Sequence, residues 1–245
     1  DHNTNPWLAA VAQLTPMDHE HDRGLTTKAP NCTLKPEWVY GVQSERCKNS
    51  LHYNYQGDLV YCVSKYAIVY SFKTHHQQIF DGHCDEILCV EMHPKKCLVA
   101  SGDSGPLPRL IVWDSSRTDL RVCFSTRGFH QNGITQIAFS ADGKLLASVG
   151  NDAQQSLSLH QWETNQVIFC SHVDPLGPAL SCVILQGSNT VMVAGDTFVY
   201  FWSTTLTGYA KRTGNRSRFT SLQPITVAAA LHGTTHAVSG TASGQ

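Results

Sequence analysis

The sequence predicts an all-β protein assembled from successive copies of one small sheet, and three observations carry that prediction. The first is a recurring pair of strands. An apolar strand, in most copies ending in a small residue and Gly, is followed after a loop by a strand carrying an aromatic residue. The second is the period: the aromatic strand returns at intervals of roughly 40 to 50 residues, the length of a four-stranded propeller blade. The third is a further apolar strand of about seven residues that occupies the same place in each repeat. Together they point to a β-propeller, a fold that usually displays rigid loops for binding.

Taken in order, the first pair is Asp58-Leu-Val-Tyr-Cys-Val with Tyr66-Ala-Ile-Val-Tyr, and the second is Leu98-Val-Ala-Ser-Gly-Asp with Leu110-Ile-Val-Trp-Asp. Leu145-Leu-Ala-Ser-Val-Gly with Leu157-Ser-Leu-His-Gln-Trp follows, then Val191-Met-Val-Ala-Gly-Asp with Phe198-Val-Tyr-Phe-Trp. A fifth copy starts at His236-Ala-Val-Ser-Gly. The additional strands are read in Ile87–Pro94, Ile134–Ser140, Leu180–Leu185 and Ile225–Leu231, each as covered on both faces. Turn signals at Gln56-Gly-Asp, Ala141-Asp-Gly-Lys and Gln186-Gly-Ser separate them. The expected organisation is an extended linker over 1–36, whose Trp7 would dock on a neighbouring domain. Blades follow at about 38–74, 75–115, 116–164, 165–205 and 206–245. Four blades and part of a fifth do not close a ring by themselves, and with no initiator Met or signal peptide the chain reads as a stretch of something longer.

Composition narrows the function classes. Charged residues make up 15% of the 245-residue chain and the net charge is −1, so no global field draws it to nucleic acid or anionic lipid. No apolar run approaches the roughly 18 residues that span a bilayer. Cys62, Cys89, Cys123, Cys170 and Cys182 lie within apolar strands and are expected as reduced core residues, the state of a cytosolic protein. The sequons Asn31-Cys-Thr and Asn215-Arg-Ser point weakly the other way.

Asp81-Gly-His, followed by Ile111-Val-Trp-Asp, resembles the WD-repeat signature. The resemblance implies a His–Ser–Asp–Trp hydrogen-bond network, onto which His83, Asp103 and Trp113 fall, with Asp114 completing the Trp-Asp pair of the signature. Later repeats depart from the pattern: His130 follows Phe, His160 stands where Trp is usual, and Trp162 and Trp202 are not followed by Asp. Pro36-Glu-Trp-Val-Tyr-Gly-Val-Gln-Ser-Glu-Arg-Cys-Lys-Asn-Ser-Leu resembles the HELP motif of the echinoderm microtubule-associated protein-like family. Trp38, Val39, Tyr40, Gly41, Cys47, Asn49 and Leu51 match, whereas Val42, Gln43 and Glu45 depart. Asn5-Pro-Trp resembles the segment before internal modules of large members, so the resemblance spans 5–245. It implies a non-catalytic propeller that associates with microtubules, in the cytoskeleton or the axoneme of a cilium or flagellum. Tubulin, other cytoskeletal or axonemal proteins and adjacent propeller modules of the same chain are the implied partners. A general WD-repeat interaction scaffold without tubulin contact is the alternative. Trp38, Val39 and Tyr40 are expected to be buried as part of the propeller.

No enzyme or cofactor pattern stands out. His19-Glu-His21 and His75-His76 lack the partners of a zinc site, and there is no nucleophile elbow, Walker loop or dinucleotide fingerprint. The clearest charge cluster is Lys211, Arg212, Arg216 and Arg218, read as an inter-blade loop. It is either a solvated loop or a contact to the acidic surface of tubulin. Arg46 with Lys48, and Lys95 with Lys96, are lesser candidates. Nucleic acid would require interleaved aromatics, and only Tyr209 and Phe219 flank the cluster.

Overall fold

The computed structural model describes residues 34–42, 44–47, 49–173, 177–187, 189–214, 224–231 and 234–244. The segment before residue 34, with Trp7, His19 and His21, lies outside the described residues, as do Lys48, Arg216, Arg218 and both sequon asparagines. All strands fall within one compact unit, Glu37–Gln245. The architecture is all-β: four antiparallel sheets of four strands follow one another, then a two-stranded sheet. The first contains β1 (Leu51–Tyr53), β2 (Leu59–Val63), β3 (Tyr66–Ser71) and β4 (His76–Phe80). The second contains β5 (Ile87–Met92), β6 (Leu98–Asp103), β7 (Arg109–Asp114) and β8 (Val122–Arg127). β9 (Ile134–Phe139), β10 (Leu145–Gly150), β11 (Ser156–Gln161) and β12 (Gln166–His172) make the third. β13 (Ala179–Ile184), β14 (Val191–Gly195), β15 (Val199–Thr205) and β16 (Gly208–Thr213) make the fourth, and β17 (Ile225–Ala230) pairs with β18 (Ala237–Thr241). These are the consecutive blades of a WD-type propeller.

The sheets are offset by one strand from the sequence repeats. The repeat over 75–115 opens with β4, the last strand of the first sheet, and the one over 206–245 opens with β16, the last strand of the fourth. Each repeat after the first thus begins in one sheet and continues in the next, so the covalent chain of one repeat links neighbouring blades.

Within a sheet every strand pairs with its sequence neighbour, as short turns between antiparallel strands dictate. The inner strands β5, β9, β13 and β17 lie side by side, and their small residues, among them Ala138, Ser181 and Ala228, permit that approach. Gly102 on β6 is required at such a contact: a Cβ there would stand 2.7 Å from Cβ of Ile134. Gly143, in the β9–β10 turn with φ +77°, combines a left-handed backbone with contact to the His93 ring.

Apolar side chains fill the space between successive sheets. Val60, Cys62, Val69 and Phe80 of the first meet Ile87, Val99, Ile111 and Trp113 of the second. Leu110, Val112 and Phe124 meet Ile134, Ile137 and Leu146. Leu157, Leu159 and Val149 meet Ile184, Val193, Phe198 and Trp202. Two sequence expectations are corrected here. Cys123 and Cys170 are exposed, because they sit on the outer strands β8 and β12, which face solvent at the perimeter; Cys62, Cys89 and Cys182 are buried as expected. β17 is not covered on both faces: Val227 is 57% exposed, since β13 is its inner-strand neighbour on one side only among the described residues.

Trp113 is fully buried and stacks on Phe80 of the preceding sheet, with ring centroids 4.6 Å apart and planes 11° from parallel. Trp113→Ala is expected to cost about 3–5 kcal/mol through lost burial and the cavity left behind. Urea unfolding at pH 7 checks this, and a loss below about 1 kcal/mol contradicts the central place given to that contact.

Candidate functional site

Three clusters carry the candidate residues: the polar networks inside the blades, the segment before β1, and the cationic side chains. In the second blade the sequence signature closes into a chain of hydrogen bonds. His83 places Nε2 2.6 Å from Ser101 Oγ and Nδ1 3.0 Å from Asp103 Oδ2, and the Trp113 indole N–H donates to Ser101 Oγ at 3.1 Å. All four side chains are buried. Asp103 also accepts from the Arg109 backbone N–H, which fixes the approach to β7. Asp114 accepts from the Ser116 N–H at 2.9 Å and closes the β7–β8 turn.

The third blade rebuilds the network with other residues. His130 Nε2 lies 2.7 Å from Ser148 Oγ and Nδ1 2.7 Å from Ser156 Oγ, which donates to Asp152. Ser148 contacts Ser158 at 2.8 Å, and His160 Nε2 stands 3.0 Å from Ser158 Oγ. A second histidine thus joins the serine chain where Trp is usual. Sequence reading missed this because it sought the signature residues; the available signal was Ser148, Ser156 and Ser158 at buried strand positions. Trp162 lies just after β11 and donates to the Gly143 carbonyl at 2.7 Å. Trp202 is buried and donates to Ser171 Oγ of the preceding sheet at 3.1 Å.

The segment before β1 departs from expectation. Trp38 is 38% exposed and Tyr40 85%, and Val39 is half-buried. No strand covers their outer side among the described residues. What anchors the segment is its backbone. The Val39 N–H donates to Gln77 Oε1 at 2.8 Å, and Gln77 Nε2 donates back to the Val39 carbonyl at 3.0 Å and to Tyr61 Oη at 2.9 Å. Trp38 meets Tyr70 edge-on at 6.0 Å, in an aromatic group with Tyr40 and Phe72. Gly41 takes φ +92° at the bend that follows. Cys47 is buried with its Sγ 2.9 Å from that of Cys62, and Asn49 donates to Glu91 at 3.3 Å.

The structure separates the cationic candidates. Lys211 and Arg212 are on β16, an outer strand, rather than on a loop, because residues 208–213 complete the fourth sheet. Lys211 Nζ donates to the Val173 carbonyl at 2.7 Å and sits 4.1 Å from the Tyr200 ring centroid. Its charge is therefore engaged in the fold. Arg212, paired in register with Phe201, is exposed. Arg46 pairs with Glu86 at 3.3 Å, and Lys95 and Lys96 are exposed on the β5–β6 turn. His75 lies 2.6 Å from Tyr70 Oη. Among the described residues no group of three His, Cys, Asp or Glu side chains could hold a metal ion, and no helix is long and apolar enough to cross a membrane.

These sheets and networks define a WD-repeat β-propeller module preceded by a HELP segment. The HELP motif matches residues 29–64, and the WD domain, G-beta repeat matches 74–106 and 121–154. Over most of its length the chain is similar to echinoderm microtubule-associated protein-like proteins. It is 30% identical to the protein 2 of Homo sapiens over 83% of this chain and 33% of that protein. It is 26% identical to the protein 1 of Rattus norvegicus over 79% of this chain and 25% of that protein. Against the protein 4 of Xenopus laevis the identity is 26%, over 83% and 23%. The chain spans a third or less of the length of these relatives.

Burial holds His130 and His160 far below the ordinary imidazole range, to about 4 each. The unfolded chain therefore binds more protons than the fold between about pH 4 and 6.5, and stability falls as pH drops through that window. His52 and His93, also lowered by burial, act in the same sense; Glu91, raised by burial to about 7, acts in the opposite one. His160→Asn is expected to flatten the pH dependence by about 1.4 kcal/mol per pH unit between pH 5 and 6. Urea unfolding across that range checks this, and an unchanged slope contradicts it.

Proposed function

We propose that this chain is a non-catalytic propeller module that associates with microtubules in the cytoskeleton and contacts tubulin through basic side chains. The observation that carries the reading is the run of a HELP segment followed by WD repeats, matched over most of the chain by relatives named as microtubule-associated protein-like. The mechanism is rigid display. Buried networks hold the blade edges in place, and weak exposed contacts act together, multiplied by further modules through effective concentration. Arg212, Arg216, Arg218, Lys95 and Lys96 are the proposed contacts. Lys211 is left out because its ammonium group already serves β16 and Val173. An axonemal setting belongs to the same proposal.

One observation favours the general interaction scaffold as a second reading. Trp38, Tyr40 and Phe72 present an exposed aromatic surface beside the first sheet, and exposed aromatics are enriched at protein interfaces.

Reversing the charge at Arg212, Arg216 and Arg218 together is expected to weaken salt-sensitive co-sedimentation with taxol-stabilised microtubules. Exposed pairs are worth about 0.2–1 kcal/mol each, so the loss is roughly 3- to 150-fold. A variant that folds and still binds with the wild-type salt dependence removes tubulin contact from these three residues and favours the scaffold.

A further inference from the structure

The inner strands and the segment before β1 surround a concavity of about 650 Å³, lined by Ala138 of β9, Cys182 of β13 and Ala228 of β17 among others. Small apolar side chains alternate on that wall with polar ones, and two of the polar groups stand out. Glu91 on β5 has one side-chain partner, the Asn49 amide at 3.3 Å. Among the described residues that line the concavity, Glu91 is the only one with a formal charge. Gln136 on β9 is 8% exposed, and its Nε2 has no hydrogen-bond partner among the described residues.

Both groups are unfinished, in opposite senses. Among the described residues the largely desolvated Glu91 carboxylate has one neutral donor and no counter-charge, and burial raises it to about 7. A buried amide N–H without an acceptor is costly and rare in folded proteins. A metal ion does not answer the need, because among the described residues a single carboxylate is the only anionic group lining the space. An extended peptide answers both needs, with a cationic side chain for the carboxylate and a backbone carbonyl for the amide.

We propose that this concavity binds the arginine or lysine side chain of a partner peptide, with Glu91 as its counter-charge and Gln136 donating to the peptide backbone. The partner is a basic segment, opposite in sign to the acidic surface that the exposed cations would meet. The module then has two recognition surfaces of opposite charge preference.

The test titrates the full chain with the tripeptide Ac-Gly-Arg-Gly-NH2 at about pH 8, where Glu91 is mainly ionised, followed by amide NMR. The neutral Ac-Gly-Gln-Gly-NH2 is the control. The arginine peptide is expected to saturate in the millimolar range and to shift the Gln136 side-chain amide and the backbone amides of Ala138 and Cys182. Glu91→Gln, which keeps the side-chain shape, is expected to weaken it at least about tenfold, and Gln136→Leu to weaken it less. Equal binding of the neutral peptide to the wild type overturns the proposal, as does binding by E91Q equal to wild type. Absence of saturation below about 10 mM overturns it too. Wild-type microtubule co-sedimentation by E91Q, alongside its weakened peptide binding, is the expected companion result; a loss of both counts against the microtubule reading's choice of surface and not against this site.

Discussion

Packing of one sheet's face against the next is the constraint on which the rest of this molecule depends. A four-stranded sheet of this size cannot bury both faces by itself, so each blade needs its neighbours. Phe80 stacked on Trp113 is the clearest instance, joining the first and second sheets at a buried contact. Backbone hydrogen bonds cross the same junction, from the Tyr55 N–H to the Lys96 carbonyl at 2.8 Å and from the Ile87 N–H to the Ser64 carbonyl at 2.9 Å.

The buried polar networks follow from that packing. Removing His83, Ser101 and Asp103 from water is tolerable because each finds a partner in the same chain of hydrogen bonds. The third blade reaches the same end with two histidines and three serines. The requirement is satisfaction of every buried donor and acceptor, and more than one set of side chains meets it. Where it is not met, at Gln136 and in part at Glu91, the groups border the concavity among the inner strands.

Rigid blades make small exposed features usable for recognition. Arg212 on a paired strand, Lys95 and Lys96 on a tight turn, and Trp38 beside Tyr70 are all held by neighbours that cannot easily move. Lys211 shows the opposite use of a cation: its stem and charge cover Tyr200 and Trp202 and cap a carbonyl. Adjacent basic residues on one strand thus serve different ends because alternate side chains leave a sheet on opposite faces.

The sequence by itself determined the all-β class, the repeated strands, the turns and three members of the buried network, His83, Asp103 and Trp113, because period and local chemistry are written in the order of residues; the structure added Ser101 between them. It also placed Cys62, Cys89 and Cys182 in the core, since inner and middle strands are apolar on both faces. Only the tertiary structure decided that Cys123 and Cys170 face outward, that Trp38 and Tyr40 are displayed, and that the exposed Lys211 has its ammonium held by the Val173 carbonyl and the Tyr200 ring. It alone brought Glu91, Gln136 and Asn49 to one wall. These outcomes depend on which strand is outermost and which blade lies alongside, and residues far apart in the chain meet only when the sheets have packed.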